Sequence, residues 1–518
     1  MNSVIKKLAG QTVVYGLSTM LARFINYMLL PLHTAVFIPS DYGVVSALYA
    51  YVSLMNVLFT YGMETGFFRF ATHEKNKQKV YATAQISVLV SSVFFGTLIS
   101  FFAPAIAAFI HFPNHTDYVI CFAWVLALDA ISAIPFARLR LENRPVKYGM
   151  IKLINVLVNV CFTVWFLVIQ PYLKTGEWFH KLESDSIIYV FISNLIASAV
   201  TLVVVIYMVR KVRMEKSKTE TLDSEIEAEN LSGKLKMDFV IWKKMLLYSL
   251  PLLIVGLAGM VNETLDRVLL QNFLPYDHEK NLALVGIYSA SYKLSLLMTL
   301  FVQAYRMAAE PFFFNESKKS DAKIMYARTM NYFVIACSII FIFVMCSLDI
   351  FKTLFLRDVN YYEGLQIVPI LLLANLCLGV YYNLTIWYKL TDKTLFGSYI
   401  SVMGAVITIA LNFYLIPKIG YLGSAWATLA CYACMMIASY FSGQKFYHVP
   451  YDVKKFLVYV GLALFIGWFC NPYFHQLFEK SQLLYIVSSF ATVSVFAFTV
   501  IQIERRWNNP EWNSEQQK

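Results

Sequence analysis

The 518 residues are 58% hydrophobic and only 14% charged, with a mean hydropathy of +0.58. A soluble domain is about a quarter charged, so the composition excludes a soluble protein and predicts an all-α polytopic membrane protein. The net charge of +11 does not indicate nucleic acid, because the basic residues are spread along the chain as a topology signal.

Apolar runs of about the 20 residues a membrane helix needs fall at roughly 9–37, 42–68, 81–110, 117–137, 148–170, 187–209, 245–274, 283–305, 325–349, 365–388, 395–416, 421–441, 456–471 and 483–503. That makes about fourteen spans. Lys6 and Lys7 before an apolar run imitate a signal peptide, but Gln11 to Phe37 is too long for one and no A-x-A site ends it, so a retained first helix is expected. Alternate connections are basic: one set carries 31 lysines and arginines and the opposite set 7. This asymmetry puts both termini in the cytoplasm and requires an even number of spans.

The chain also repeats. Leu21-Ala22-Arg23 and Leu30-Pro31 align with Leu265-Asp266-Arg267 and Leu274-Pro275. One deletion later, residues 43–55 align with 286–298 and share Gly, Ser, Ala, Tyr, Leu and Met at six positions. An offset of six helices preserves orientation, so the halves are expected to be related by an axis along the membrane normal. The expected domains are an N-terminal six-helix bundle at 1–212 and a cytoplasmic linker at 213–239, first basic and then acidic. A C-terminal six-helix bundle at 240–444, helices 13 and 14 at 445–503, and a cytoplasmic tail at 504–518 follow.

Ionisable residues within the spans are costly and by default indicate a substrate or ion path. In helix 7, Glu263, Asp266 and Arg267 stand at i, i+3 and i+4, on one face. They form either part of such a path or an i,i+4 Glu263–Arg267 pair that locks helices together. Arg23 is the matching residue of helix 1. Lys152 in helix 5 and Lys293 in helix 8 can add to a positive field, or can snorkel to the interface from near a helix end. Glu64 in helix 2 and Asp129 in helix 4 are embedded carboxylates, as are Glu263 and Asp266. Each is a place where H⁺ or Na⁺ coupling can act. The structural readings are a Glu64–Arg69 pair or a helix-end role for Glu64, and an interhelical hydrogen bond from Asp129. Arg306 and Glu310 suggest a surface pair or a gate. Pro31, Pro251, Gly256 and Gly259 offer bending points.

The cysteines lie in apolar segments, and Cys431-x-x-Cys434 has no βαβ context for redox work. The histidines are mostly in loops without metal-ligand spacing, and no phosphate loop for ATP is present. No metal, cofactor or catalytic residue is expected. The longest outer connection, about Pro171 to Ser186, carries no acid-base constellation of the kind a glycan polymerase or glycosyltransferase would need.

Asp41-Tyr42-Gly43, Glu64-Thr65-Gly66-Phe67-Phe68-Arg69-Phe70, the run from Val285 to Lys293, and Gly423-Ser424-Ala425-Trp426 resemble the polysaccharide biosynthesis, O-antigen-type oligosaccharide flippases. These belong to the multidrug/oligosaccharidyl-lipid/polysaccharide exporter superfamily. The resemblance implies two six-helix bundles around a central cavity in the bacterial inner membrane. It implies a cargo of undecaprenyl-diphosphate-linked oligosaccharide, moved to the outer leaflet by alternating access. Lipid II flippases and cation-coupled multidrug exporters are the related alternatives. A diphosphate requires fixed positive charge, and arginine binds it bidentately without losing its proton. In the resembling lipid II flippases, helices 1 and 7 supply cavity arginines, which implies a substrate-binding role for Arg23 and Arg267. Partners would be the lipid-linked glycan, membrane lipids, and the polymerase and glycosyltransferases of the same pathway. A monomer is expected.

Overall fold

The computed structural model describes residues 16, 18–74, 76–219, 237–317 and 319–507, and all regular structure among them is helical. Among the described residues eleven helices are long and apolar enough to cross a membrane, and the number is twelve if the bent pair His278–Leu294 and Leu296–Phe314 is one span. Of the remaining expected spans, the run at 9–37 begins outside the described residues. The run at 456–471 lies in the helix Val453–Lys480. Residues 220–236 of the expected linker and 508–518 of the expected tail also lie outside the described residues. Large apolar side chains point outward in number, with Phe101 77% and Trp468 82% exposed. Such a surface is stable only against lipid, so this is a multi-pass membrane protein.

Packing divides the chain into a unit ending at Gly286 and a unit beginning at Ile287. The first holds α1 (Leu30–Val36), α2 (Pro39–Thr60), α3 (Met63–His73), α4 (Lys77–Phe101), α5 (Ala103–Phe109) and α6 (Thr116–Leu141). It continues with α7 (Pro145–Val164), which passes through a π turn at Trp165–Ile169 into α8 (Gln170–Thr175), then α9 (Ile188–Thr219) and α10 (Phe239–Phe273). The helix α11 (His278–Leu294) runs across the division.

By sequence repeat α10 opens the second half, yet it packs in the first unit, against α2 and α3. The reason is a set of specific bonds. Ser249 Oγ donates to the Gly62 carbonyl at 3.2 Å, and Trp242 Nε1 donates to Ser87 Oγ at 2.8 Å. Asp238 caps α10 by accepting from Val240 N and Ile241 N at 2.8 and 3.0 Å, and it pairs with Lys79 at 2.6 Å. The Lys79 hydrogen bond, helped by the Ile241 and Val240 N–H groups, holds the Asp238 carboxyl below the usual carboxylate range. Beneath these contacts lies a core built from Phe59, Phe67, Val80, Leu126, Ile134 and Met245.

Two local features depart from regular helix. The run expected at 42–68 breaks at Tyr61 and Gly62, both left-handed (φ 32° and 71°). Glycine takes that conformation without strain, and the break leaves Glu64 in the first turn of α3. At the second, α2 and α11 cross through repeat-equivalent glycines. A Cβ added to Gly43 would lie 1.8 Å from the Leu282 carbonyl oxygen, and one added to Gly286 would lie 2.0 Å from that of Pro39. The alignment that pairs Gly43 with Gly286 also pairs Pro39 with Leu282. The contact is therefore reciprocal.

The second unit contains α12 (Leu296–Glu316), α13 (Ala322–Cys346), α14 (Leu348–Phe355), α15 (Val368–Leu384) and α16 (Ile386–Leu390). It ends with α17 (Leu395–Ile419), α18 (Tyr421–Phe446), α19 (Val453–Lys480) and α20 (Gln482–Trp507). The helices α15 and α17 both pack on α18, while α13 packs on α19 and α20. Between α11 and α12 the chain bends by 50° at Ser295. Ser295 Oγ donates to the Tyr292 carbonyl at 2.7 Å, and Asn375 joins Ser295 to Thr299. Side chains thus supply the hydrogen bonds that a broken helix needs at membrane depth.

The ends of α19 and α20 are held by charge. Lys455, 8% exposed, reaches both Glu504 carboxylate oxygens at 3.1 Å, and Tyr459 Oη donates to the same carboxylate. Glu504→Gln removes the charge that compensates a buried lysine, with an expected cost of about 3 kcal/mol. A lowered unfolding midpoint of the purified protein checks this. Lys455→Met combined with Glu504→Leu should recover most of the loss, because an apolar pair carries no desolvation cost.

Candidate functional site

Four elements of the first unit bring charged residues together. On α6, Asp129, Phe136 and Arg140 stand at i, i+7 and i+11, a single stripe at helical period. On α7, Tyr148, Lys152, Asn155 and Asn159 form a matching stripe at i, i+4, i+7 and i+11. The helical stretch 18–27 runs alongside α7. Ser18 lies so close that a Cβ on Gly149 would meet it at 2.8 Å, and Asn159 Nδ2 donates to Asn26 Oδ1 at 3.5 Å. Arg23 lies between those two contacts. The fourth element, α3, contributes Glu64.

Lys152 is the centre of this group. Its Nζ sits 4.4 Å from the centroid of the Phe136 ring. Asp129 is its opposite charge, while Arg140 and Arg23 act on it as like charges. Asp129 also has Ser198 of α9 beside it. A cation over an aromatic face keeps part of its stabilisation without water. Arg140 pairs with Glu64 and stacks on the Phe68 ring at 4.9 Å. Glu64 therefore pairs with α6, and the local Arg69 partner expected from sequence is instead stacked on Tyr248 at 4.2 Å. Elsewhere on α7, Asn155 Nδ2 donates to Thr201 Oγ1 at 2.8 Å and ties the stripe to α9.

Helix 7 is arranged differently from the expectation. Arg267 Nη1 donates to Asp266 Oδ1 at 2.7 Å and to the backbone carbonyl of Glu263 at 2.6 Å. The partner carboxylate is thus the adjacent Asp266, whose side chain is 6% exposed, and the Glu263 side chain is exposed. Lys293 stands in the last turn of α11, two residues before the 50° bend. That helix end is the break between α11 and α12.

Arg140 lies among the basic residues Arg138, Arg140, Arg144 and Lys147 around the connection after α6, where it reads as a topology signal. Its signal was the stripe on α6, which continues to Leu141. In the second unit, Arg306 lies over the Tyr382 ring at 4.4 Å, while Glu310 accepts from Lys389 Nζ at 2.7 Å. The expected Arg306–Glu310 pair is thus replaced by a tie from α12 to α16. Beside it is a cavity of about 20 Å³, enough for one water.

A family model described as polysaccharide biosynthesis protein matches residues 8–317. No curated protein sequence matches the chain. Its fold is similar to that of the lipid II flippase MurJ in an inward closed conformation, with a TM-score of 0.70 and 13% identity over 95% of this chain and 100% of that one. A multidrug resistance MATE family transporter of the MOP superfamily, inward-facing, gives 0.61 and 10% over 84% and 94%. A MATE transporter of Vibrio cholerae gives 0.53 and 12% over 86% and 98%. At such identities the likeness is one of fold.

Proposed function

The chain belongs to the polysaccharide biosynthesis protein family, and we propose that it flips undecaprenyl-diphosphate-linked oligosaccharide to the outer leaflet of the bacterial inner membrane by alternating access. The observation that carries this reading is the cationic group formed by Arg23, Lys152 and Arg140 on helices of a multi-pass membrane protein. Three cations outnumber the two carboxylates beside them, Asp129 and Glu64, which suits an anionic head group and disfavours a cationic drug. The fold shared with a lipid II flippase supports a diphosphate-linked cargo. The bias of lysine and arginine among the connections supports a cytoplasmic position for both termini.

The carboxylates supply a coupling scheme. In this arrangement Asp129 neutralises Lys152. When Lys152 turns to the diphosphate, Asp129 is left with an uncompensated charge at membrane depth, which is costly. Uptake of H⁺ or Na⁺ by Asp129 removes that cost, so cargo and ion binding favour each other. By linkage the effect is reciprocal. Glu64 and Arg140 repeat the same logic, while Asp266 and Arg267, with Glu263 exposed beside them, offer a third pair. Lys293, in the last turn of α11, is a further candidate cation.

The test is a vesicle assay with the purified chain and three cargoes: undecaprenyl diphosphate bearing an oligosaccharide, lipid II, and an organic cation. The oligosaccharide lipid is expected to move fastest, and an inward proton or Na⁺ gradient should change its rate. Equal or faster movement of lipid II would identify a lipid II flippase. Export of the organic cation with the glycan lipid left in place would overturn the flippase reading altogether.

A further inference from the structure

A second cavity lies in the first unit, away from the charged group. Its volume is about 310 Å³, within the range of small-ligand sites. It is lined where α2, α6 and α11 begin and where the connections before α6 and α9 pass. These are the connections poor in lysine and arginine, which the proposed topology puts on the outer face.

The lining is acidic and neutral-polar. Asp41 and Glu279 contribute carboxylates near enough to act on each other as like charges. Asn114 adds an amide, and His111, His115 and His278 add imidazoles. No lysine or arginine is among the lining residues described. Lys181, which acts on Asp41 as an opposite charge, donates to the backbone carbonyls of Thr34 and Phe37 at 3.3 and 3.0 Å. The lining itself thus offers a diphosphate no fixed lysine or arginine charge.

The walls are fixed before any ligand arrives. Ser184 Oγ donates to Asp41 Oδ1 at 2.8 Å, Leu182 N to the Val36 carbonyl at 2.9 Å, and Gln271 Nε2 to the Ile110 carbonyl at 2.9 Å. His115 stacks on Tyr118 at 4.3 Å, while Phe112 meets His278 edge-on at 5.5 Å. Within this set, His278 Nε2 is buried and has no hydrogen-bond partner, and a buried polar atom in that state favours a ligand that satisfies it. Carboxylates accept hydroxyl protons, imidazole and amide groups both donate and accept, and aromatic rings pack on apolar faces. Together these match a compact ligand with many hydroxyls.

We propose that this cavity is a docking site for a sugar of the cargo's glycan, holding the head group on the outer side once the diphosphate has crossed. The inference rests on the flippase reading above. It also separates the two ends of the cargo: cations for the diphosphate, and neutral and acidic groups for the sugar.

The test uses the full chain in lipid nanodiscs, with ligand-observed saturation-transfer NMR on N-acetylglucosamine, galactose and rhamnose. Pyrophosphate is followed by phosphorus line broadening, and tetraethylammonium serves as a cationic probe. At least one neutral sugar should respond, and both Glu279→Gln and Asn114→Leu should reduce that response at least fivefold. Both positions are exposed, so folding is spared, and pyrophosphate broadening should be unchanged in both variants. In vesicles, Glu279→Gln should slow a sugar-bearing prenyl diphosphate and leave bare prenyl diphosphate unaffected. The proposal is overturned if no sugar responds, if the variants leave the response intact, if only tetraethylammonium binds, or if both lipids slow equally. Failure of pyrophosphate to bind, with the sugar response present, would count against the diphosphate reading and leave the sugar site standing.

Discussion

Changing Lys152 to Met slows movement of the oligosaccharide lipid by about 10- to 100-fold, with the protein still inserted at its normal level. The magnitude follows from the loss of one charge-assisted hydrogen bond to the diphosphate, about 1.5–3 kcal/mol, at 1.36 kcal/mol per tenfold change in rate. The competing explanation is that Lys152 and Asp129 merely staple α6 to α7. The two differ in what a second change does. Asp129→Asn added to Lys152→Met removes both charges, so a staple would be relieved and transport would return towards wild type. A cargo-binding lysine cannot be restored in that way, and the double variant is expected to stay slow. Recovery of transport in the double variant would therefore reassign Lys152 to structure. Measurement in vesicles with and without an ion gradient adds a second readout. If Asp129 is the coupling group, the single variant Asp129→Asn loses the gradient dependence while retaining some cargo movement.

Much of this arrangement was legible in the sequence, and the exceptions have physical causes. Span positions follow from hydropathy because lipid leaves no other choice for twenty apolar residues. Arg23 and Lys152 stood out for the same reason: ionisable groups in such runs are costly. Arg140 did not, since it lies in a basic segment that also satisfies the topology rule. Only the continuation of α6 to Leu141 carries it towards Glu64 and Lys152. Face arguments pair residues three or four apart, which offered Glu263 as one of two readings for Arg267. The actual partner, Asp266, is the adjacent residue. The outer cavity was hidden for a different reason. His111, His115 and His278 come from two distant connections, and no spacing rule joins residues that only the packing of α2, α6 and α11 brings together. Compactness likewise placed α10 with the first unit through Ser249, Trp242 and Asp238, contacts that a repeat alignment does not contain.

The crossing of α2 and α11 yields the other large effect. Gly43→Ala and Gly286→Ala should each lower the unfolding midpoint of the purified protein and abolish transport. In both cases the new Cβ meets a backbone carbonyl oxygen at about 2 Å. A flexible side chain can rotate away from such a contact, but a helix backbone has to shift as a whole, and overpacking of this kind costs about 1–3 kcal/mol or more. Gly259→Ala is the matched control on a membrane helix: nothing lies within 4 Å of its Cβ position, so alanine there should be neutral or slightly stabilising. The reciprocity of the contact makes a sharper claim. Because Gly43 faces Leu282 while Gly286 faces Pro39 across one crossing, the first substitution already parts the helices that the second would part. The double variant should then cost clearly less than the sum of the singles, since changes sharing one contact are not additive. Additive costs would mean that the two glycines act at separate contacts. Gly43→Ala behaving like Gly259→Ala would mean that the helices part freely at this crossing.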